Sequence, residues 1–190
     1  MIQKILNRVQ GVLFKPEETW DVIKAEQSSV QQIYKEYLIF LAAIPALSGF
    51  LGALFKGTGF FQSLFWAALF YLLSLAGVWL SVALIKGIAN NFKISTDKIE
   101  IQKLVSYAYT AFFVAGIFLL IPPLFWLSVV GIYGFYLYAI GVPKILSIPG
   151  KERLNFTVIT IFALVFVLIL SFSLTAVISG IEVSYLSIYS

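Results

Sequence analysis

The chain has 190 residues, of which 61% are hydrophobic and 12% are charged, and its formal net charge is +4. Soluble domains are about 45–50% apolar and about 25% charged, so this chain has more apolar surface than a soluble domain can bury. It has no cysteine and no histidine, which excludes disulfides, Cys/His metal sites, histidine-ligated haem and histidine acid–base catalysis. The composition therefore predicts an integral membrane protein.

Residues 1–36 are predicted to form a cytoplasmic segment that contains two short amphipathic helices. Within 1–14, apolar residues recur at helical spacing with polar residues on the other face. Such a helix can lie in the membrane interface or pack on the protein's own loops, and the sequence leaves both open. Pro16, followed by two glutamates, predicts the first turn of a second helix, with Trp20 and Ile23 on one face.

The charge-free stretches of the sequence predict five transmembrane helices. The longest, Leu104–Pro143, has 40 residues and would form a helix about 60 Å long, twice the hydrocarbon thickness of about 30 Å. Pro122-Pro123 near its middle predicts that the chain turns back there; one kinked helix with an interfacial piece is the alternative. An all-α transmembrane domain is thus expected over residues 37–180, with a short non-cytoplasmic tail at 181–190. The predicted spans are about 37–55, 61–85, 104–121, 124–142 and 156–179.

Local signals refine two of these spans. In the first span, Pro45 predicts a kink, and Ser48 and Gly52, four residues apart, predict a small-residue face for close helix contact. Asp97, followed three residues later by Glu100, predicts a capping box that opens the third span.

Lysine and arginine distribution predicts the orientation. Five lie in the N-terminal segment, four in a polar loop at 86–103 and three in the loop after the fourth span, whereas the opposite side has only Lys56. Positive residues are retained on the cytoplasmic side of a membrane. The excess of twelve lysines and arginines on one side against one on the other therefore predicts a cytoplasmic N-terminus and an outside C-terminus.

The predicted spans contain no Asp, Glu, Lys or Arg, although pumps and coupled transporters commonly place such residues within the membrane. Their serine and threonine hydroxyls have no base to activate them, which favours helix contacts over nucleophilic chemistry. We therefore expect no enzyme activity, no catalytic residue, no cofactor and no metal. The sequence also has no basic patch interleaved with aromatics, so no nucleic-acid partner is expected.

Tyrosines are the main polar residues of the third and fourth spans. Because these spans are antiparallel, the tyrosines near Thr110 and those of the fourth span fall in the same half of the membrane. This predicts an inter-helix hydrogen-bond cluster around Thr110, with an aromatic belt as the alternative and ligand contact as a smaller one. The candidate helix-packing residues here are Tyr107, Thr110, Gly131, Tyr133, Gly134, Tyr136 and Gly141.

Three motifs together resemble the Yip family of membrane proteins, in its short prokaryotic branch. They are the entry segment Lys15–Ile23, the Tyr-Ala-Tyr-Thr opening of the third span at Tyr107–Thr110, and the run Tyr133–Pro143. Their order and the five-span plan cover nearly the whole chain. Ala111 stands where the family commonly has proline, and the long N-terminal region and Asp-Leu-Tyr-Gly-Pro motif of eukaryotic members are absent, so Rab binding is not implied.

The resemblance implies a non-enzymatic multi-span protein whose eukaryotic relatives act in vesicle trafficking and membrane organisation. We expect a membrane-organising, scaffold or partner-binding role in a prokaryotic cytoplasmic membrane. The expected partners are membrane lipids and either a second copy of the chain or another membrane protein. The alternatives are a lipid or small-solute permease, in which Pro45 and the tyrosines would line a path, and an accessory subunit of a larger complex.

Overall fold

The computed structural model describes residues 2–180, which are helical almost throughout and contain no strand. The predicted tail at 181–190 lies outside the described residues. Two short helices precede five helices that are long and apolar enough to cross a membrane. In chain order the helices are α1 (Ile2–Phe14), α2 (Pro16–Ala25), α3 (Val30–Phe55), α4 (Phe60–Asn91), α5 (Lys98–Leu120), α6 (Pro122–Ile145) and α7 (Gly150–Ser179). The prediction of an all-α bundle with five candidate spans is confirmed.

The break between α5 and α6 is where the two prolines predict it. Ile121 is extended (φ −113°, ψ 103°), and the chain reverses so that α6 packs antiparallel to α5. The helix on either side is narrower than an α-helix, because Gly116–Leu120 and Pro122–Ile132 both form 3₁₀-helix. Runs of 3₁₀-helix longer than 3–4 residues are uncommon, and the sequence does not predict this one.

The five long helices surround a core of apolar side chains. Helix α4 packs on α3 and α7, α5 packs on α3, α4 and α6, and α2 packs along the second half of α6. We call the end of the bundle that holds α1 and α2 the hairpin end, and the end that holds Pro122-Pro123 the proline end. Helix α3 has a π-helical turn at Tyr34–Leu38, and Pro45 lies inside it with its ring against Gly116 of α5.

Helix caps at the hairpin end agree with the sequence signals. The Glu100 carboxylate accepts a hydrogen bond from the Asp97 backbone N–H at 3.2 Å, as the predicted capping box requires. A second capping box opens α3, since Ser29 and Gln32 exchange side-chain-to-backbone hydrogen bonds. The predicted loop at 86–103 is shorter in the structure, because α4 continues as helix to Asn91.

Candidate functional site: the N-terminal hairpin on the bundle

Helices α1 and α2 form a tight antiparallel hairpin. Gly11 permits their close approach, because a Cβ at this position would lie only 2.8 Å from the Thr19 hydroxyl oxygen. Pro16 occupies the first turn of α2, where a backbone N–H would have no partner within the helix and its absence costs nothing. Two glutamates in the same turn interact favourably with the positive end of the helix dipole. Val12 of α1 is 1% exposed. Of the two interpretations that the sequence leaves open for α1, the structure therefore shows packing of its inner face on the protein.

Trp20 anchors the hairpin to the bundle. Its side chain is 1% exposed and lies across Gly141 of α6, where a Cβ would come within 2.7 Å of the indole ring. Its ring also meets Tyr107 of α5 edge to face, with centroids 6.4 Å apart. Ile23, one turn further along α2, is fully buried. The predicted residues Trp20, Ile23, Tyr107 and Gly141 thus form one contact region, which we call the hairpin seat.

Lys103 is the residue of this site that the sequence analysis misses. It is only 6% exposed, and its ammonium group donates to the carbonyls of Ile23 at 2.9 Å and Glu26 at 2.5 Å, with Lys24 at 3.4 Å. These carbonyls end α2, where a helix has unpaired acceptors and a partial negative charge. Lys103 therefore caps α2 from the first turns of α5. The available signal was its place directly before the longest charge-free stretch.

Three ion pairs within residues 2–180 involve the hairpin, and the first joins Lys4 of α1 to Glu36 of α3 at 3.6 Å. Arg8 of α1 pairs with Glu26, and its guanidinium lies 5.5 Å from the centre of the Tyr107 ring. Asp21 of α2 pairs with Lys144 of α6 at 2.7 Å. The Arg8 side chain is only 16% exposed, so its pair is screened less than a surface pair would be. These contacts fix the hairpin in one position on α5 and α6.

The tyrosines of α3 and α6 make different hydrogen bonds from those predicted. Thr110 pairs with Tyr37 of α3 at 2.8 Å, not with the tyrosines of α6. Tyr133 donates instead to the Leu13 carbonyl of α1 at 3.0 Å, and Tyr136 is 53% exposed beside it, with ring centroids 5.3 Å apart. The predicted cluster around Thr110 that includes Tyr133 and Tyr136 is therefore wrong. Their exposure fits the alternative aromatic belt, in which amphipathic rings face the membrane surface.

The predicted small residues are contact points within the chain. A Cβ on Gly134 would overlap the Phe112 ring of α5, and one on Gly131 would press on the same residue at 3.2 Å. Gly52 faces the Leu119 carbonyl, and Ser48 is buried on the same side of α3. The small-residue face of α3 is thus already used by α5, because the 3₁₀ turn of α5 brings its backbone close.

Three cavities of the described structure adjoin these elements, and the most open of them, about 540 Å³, is a groove between α1 and α2 on the hairpin itself. A polar pocket of about 260 Å³ lies at the hairpin end, between α1, the α2–α3 connection and the start of α3. A larger, mainly apolar cavity of about 390 Å³ lies inside the bundle toward the proline end and touches all five long helices. Within residues 2–180, no three His, Cys, Asp or Glu side chains are grouped so that they could hold a metal.

These features define a multi-pass helical membrane protein with an N-terminal hairpin built into its bundle. The Yip1 domain model matches residues 11–172, so the chain belongs to the Yip1 family. This confirms the resemblance inferred from the three motifs.

The chain is also similar to the inner membrane protein YohC of Escherichia coli K12, with 28% identity over 189 residues, which cover 92% of this chain and 97% of YohC. The same figures hold for YohC of Escherichia coli O6:H1. No solved structure matches the chain.

Proposed function

We propose that the protein is a non-enzymatic, membrane-organising scaffold that works by association at its N-terminal hairpin. The supporting observation is that the hairpin is fixed on the bundle by buried contacts and yet presents apolar side chains outward. Phe14, at the turn between α1 and α2, is 79% exposed, and Ile2 is 71% exposed. Leu6 and Val22 add to the same segment at 48% and 53%.

Outward-facing apolar groups on an otherwise charged segment require a cover. Ile2 and Leu6 lie four residues apart and share one face of α1, whereas Phe14 and Val22 are exposed at the turn and on α2. The cover is the lipid interface, into which an amphipathic helix inserts its apolar edge, or a membrane-protein partner, including a second copy of this chain. In either case the buried contacts of the hairpin seat hold the hairpin, and the lipid or protein that it contacts, in a fixed position relative to the bundle.

We place the hairpin end on the cytoplasmic side of a prokaryotic inner membrane. The charge distribution favours this orientation, because Lys103 and Lys144 contact the hairpin and so lie at the same end as the N-terminal lysines, whereas Lys56 lies at the opposite end. The likeness to an inner membrane protein supports the location.

Cysteine labelling tests the orientation, because the chain has no native cysteine. Ser95 is exposed in the α4–α5 loop, whereas its neighbour Thr96 is only 6% exposed and is unsuitable. In intact cells, Thr58→Cys should react with a membrane-impermeant maleimide, and Ser95→Cys should react only after the membrane is opened. Labelling of position 95 alone in intact cells would invert the model.

Photo-crosslinking tests the association. A photoreactive amino acid at Phe14 should crosslink to protein or lipid in native membranes, and mass spectrometry of the adduct identifies which. The matched control is Trp126, which is exposed to 60% at the proline end and should give lipid adducts only. A protein adduct of twice the chain mass indicates a homo-oligomer, and a different protein indicates an accessory-subunit role. No adduct at Phe14 would contradict the scaffold.

The apolar cavity inside the bundle favours a second candidate, a lipid or small-solute permease. It is lined mainly by apolar side chains together with the hydroxyls of Ser74, Ser128 and Ser171. The Ser128 hydroxyl lines the cavity without a hydrogen-bond partner in the described structure, so Ser128→Leu should fill the cavity without the loss of a hydrogen bond. The permease would replace the scaffold under two conditions: the protein gives no Phe14 adduct, and it carries a flux of lipid or solute in liposomes that this variant abolishes.

A further inference from the structure

The polar pocket at the hairpin end contains charges of both signs. Lys4 and Arg8 of α1 face Glu26 of the α2–α3 connection and Glu36 of α3. Arg8 is paired with Glu26, and Lys4 lies 3.6 Å from Glu36 with side chains that are 79% and 53% exposed. Since the formal charges cancel, a simple anion entering the pocket would meet two carboxylates. A ligand with one negative and one positive group would find a partner for each.

The pocket also lies at the level of the lipid headgroups. Its floor is formed by Tyr37, which begins the charge-free stretch of α3 directly after Glu36, and by Tyr107, one turn beyond Lys103 in α5. The floor is therefore at the edge of the apolar belt, and the rim is among the charged residues. Aromatic residues are typical of this interfacial level.

The size and hydrogen-bonding capacity of the pocket fit a headgroup. At about 260 Å³ it is slightly smaller than the roughly 300–1,000 Å³ typical of sites for drug-sized ligands. The Ser28 hydroxyl lines it and is buried without a hydrogen-bond partner in the described structure. Its oxygen is closed off from the pocket in this rotamer, and rotation about χ1 would let the hydroxyl donate to a phosphate oxygen.

We propose that this pocket binds the headgroup of a phospholipid that carries a primary ammonium, as in phosphatidylethanolamine. Arg8, held in place by Glu26, and the exposed end of Lys4 bind the phosphate, to which Ser28 donates a hydrogen bond. Glu36 accepts from the ammonium. A trimethylammonium cannot donate hydrogen bonds, and the Tyr107 face that could bind it is already covered by Arg8, so the pocket discriminates against choline lipids.

This inference goes beyond association and does not depend on it, because a lipid in the pocket is compatible with any cover on Phe14. The full-length protein in mild detergent would be titrated with phosphatidylethanolamine, phosphatidylcholine and phosphatidylglycerol of identical acyl chains, with binding read by native mass spectrometry. We expect the ethanolamine lipid to bind at least fivefold more tightly than the other two. Equal binding of the three lipids would overturn the proposal.

Variants locate the preference in the pocket. Glu36→Gln removes the half-exposed carboxylate that accepts from the ammonium group. It should abolish the preference for phosphatidylethanolamine over phosphatidylcholine. Ser28→Ala should weaken the binding of all three lipids. The matched control is Glu152→Gln, which removes an exposed carboxylate in the first turn of α7, at the same end of the bundle but outside the pocket, and should leave the preference unchanged. Thermal unfolding of each variant confirms that it is folded, and a preference that persists in Glu36→Gln refutes the assignment.

A last arm distinguishes lipid from a soluble source of the same chemistry. Glycerophosphoethanolamine, which has the headgroup without acyl chains, should compete only at concentrations at least a hundredfold above those of the lipid. If it binds as tightly as the lipid does, the ligand is a free phosphodiester and the lipid assignment is wrong.

Discussion

The two ends of the bundle are built differently. Of the twelve largest fully buried side chains of the described residues, eleven, among them Trp20 and Phe156, lie in the half toward the hairpin end, and Tyr109 lies at the middle of α5. The proline end has 3₁₀-helix, the apolar cavity and outward-facing residues such as Trp126 and Val177. Both halves expose apolar side chains on their outer surface, Trp79 and Leu154 in the hairpin half among them, so the difference lies in how densely the interior is filled. We therefore expect the residues near the hairpin to contribute most to the free energy of unfolding, because α1 and α2 add buried protein contacts there that a bilayer does not provide.

The largest expected effect tests whether the hairpin stabilises that half. Lys103→Met retains the bulk of the side chain but leaves the carbonyls at the end of α2 without a donor, which should lower the free energy of unfolding by about 2–3 kcal/mol. Lys98→Met is the control, because Lys98 lies on the same helix and is exposed. Denaturant unfolding in detergent micelles measures both. Equal, small losses would show that the hairpin is only loosely attached.

A glycine pair sharpens the comparison. Gly141→Ala places a methyl group within 2.7 Å of the Trp20 indole and should cost about 1–3 kcal/mol through overpacking. Gly87→Ala, in an exposed part of α4 with nothing within 4 Å of the added Cβ, should instead add about 0.5–1 kcal/mol through helix propensity. The emission of Trp20, measured with the other tryptophans replaced by phenylalanine, should shift to the red only in the Gly141 variant. Stabilisation by both alanines would contradict the seat.

The smallest expected effect concerns the hydrogen bond between Tyr37 and Thr110, which joins α3 to α5. A double-mutant cycle of Tyr37→Phe and Thr110→Val should give a coupling of about 0.6 kcal/mol, the average for such bonds in membranes. The control cycle combines Tyr37→Phe with Ser81→Ala, since Ser81 bonds to Tyr109 instead. Its coupling should be indistinguishable from zero. Equal coupling in the two cycles would mean that the tyrosines form one network.

The sequence predicts the helical scaffold because each of its signals is local. Charge-free stretches set the five long helices, Pro122-Pro123 sets the turn between α5 and α6, and Asp97 with Glu100 sets one cap. The approximate location of the seat is also predicted, because Trp20 and Ile23 share the inner face of α2.

The remaining features depend on which helices meet. Lys103 resembles any other loop lysine until the end of α2 is placed over it. Thr110 has several tyrosines within reach by depth alone, and only the packing of α3 selects Tyr37. Gly52 would permit close contact with a second chain or with α5 equally well. The 3₁₀ turn of α5 brings its own backbone against Gly52, so the contact lies within the chain. Long-range pairing of this kind leaves no periodic trace in one sequence.

The 3₁₀-helix at the start of α6 also affects the length of this helix relative to the thickness of a bilayer. Its eleven residues rise about 2.0 Å each instead of 1.5 Å, so they reach about 5 Å further than the same residues in an α-helix. Helix α6 has 24 residues, against 32 in α4 and 30 in α7, and the stretched segment recovers part of that difference. Cellular membranes differ in thickness by a few ångströms. A change of this segment to α-helical pitch would shorten α6 by about 5 Å at the proline end, away from the hairpin seat.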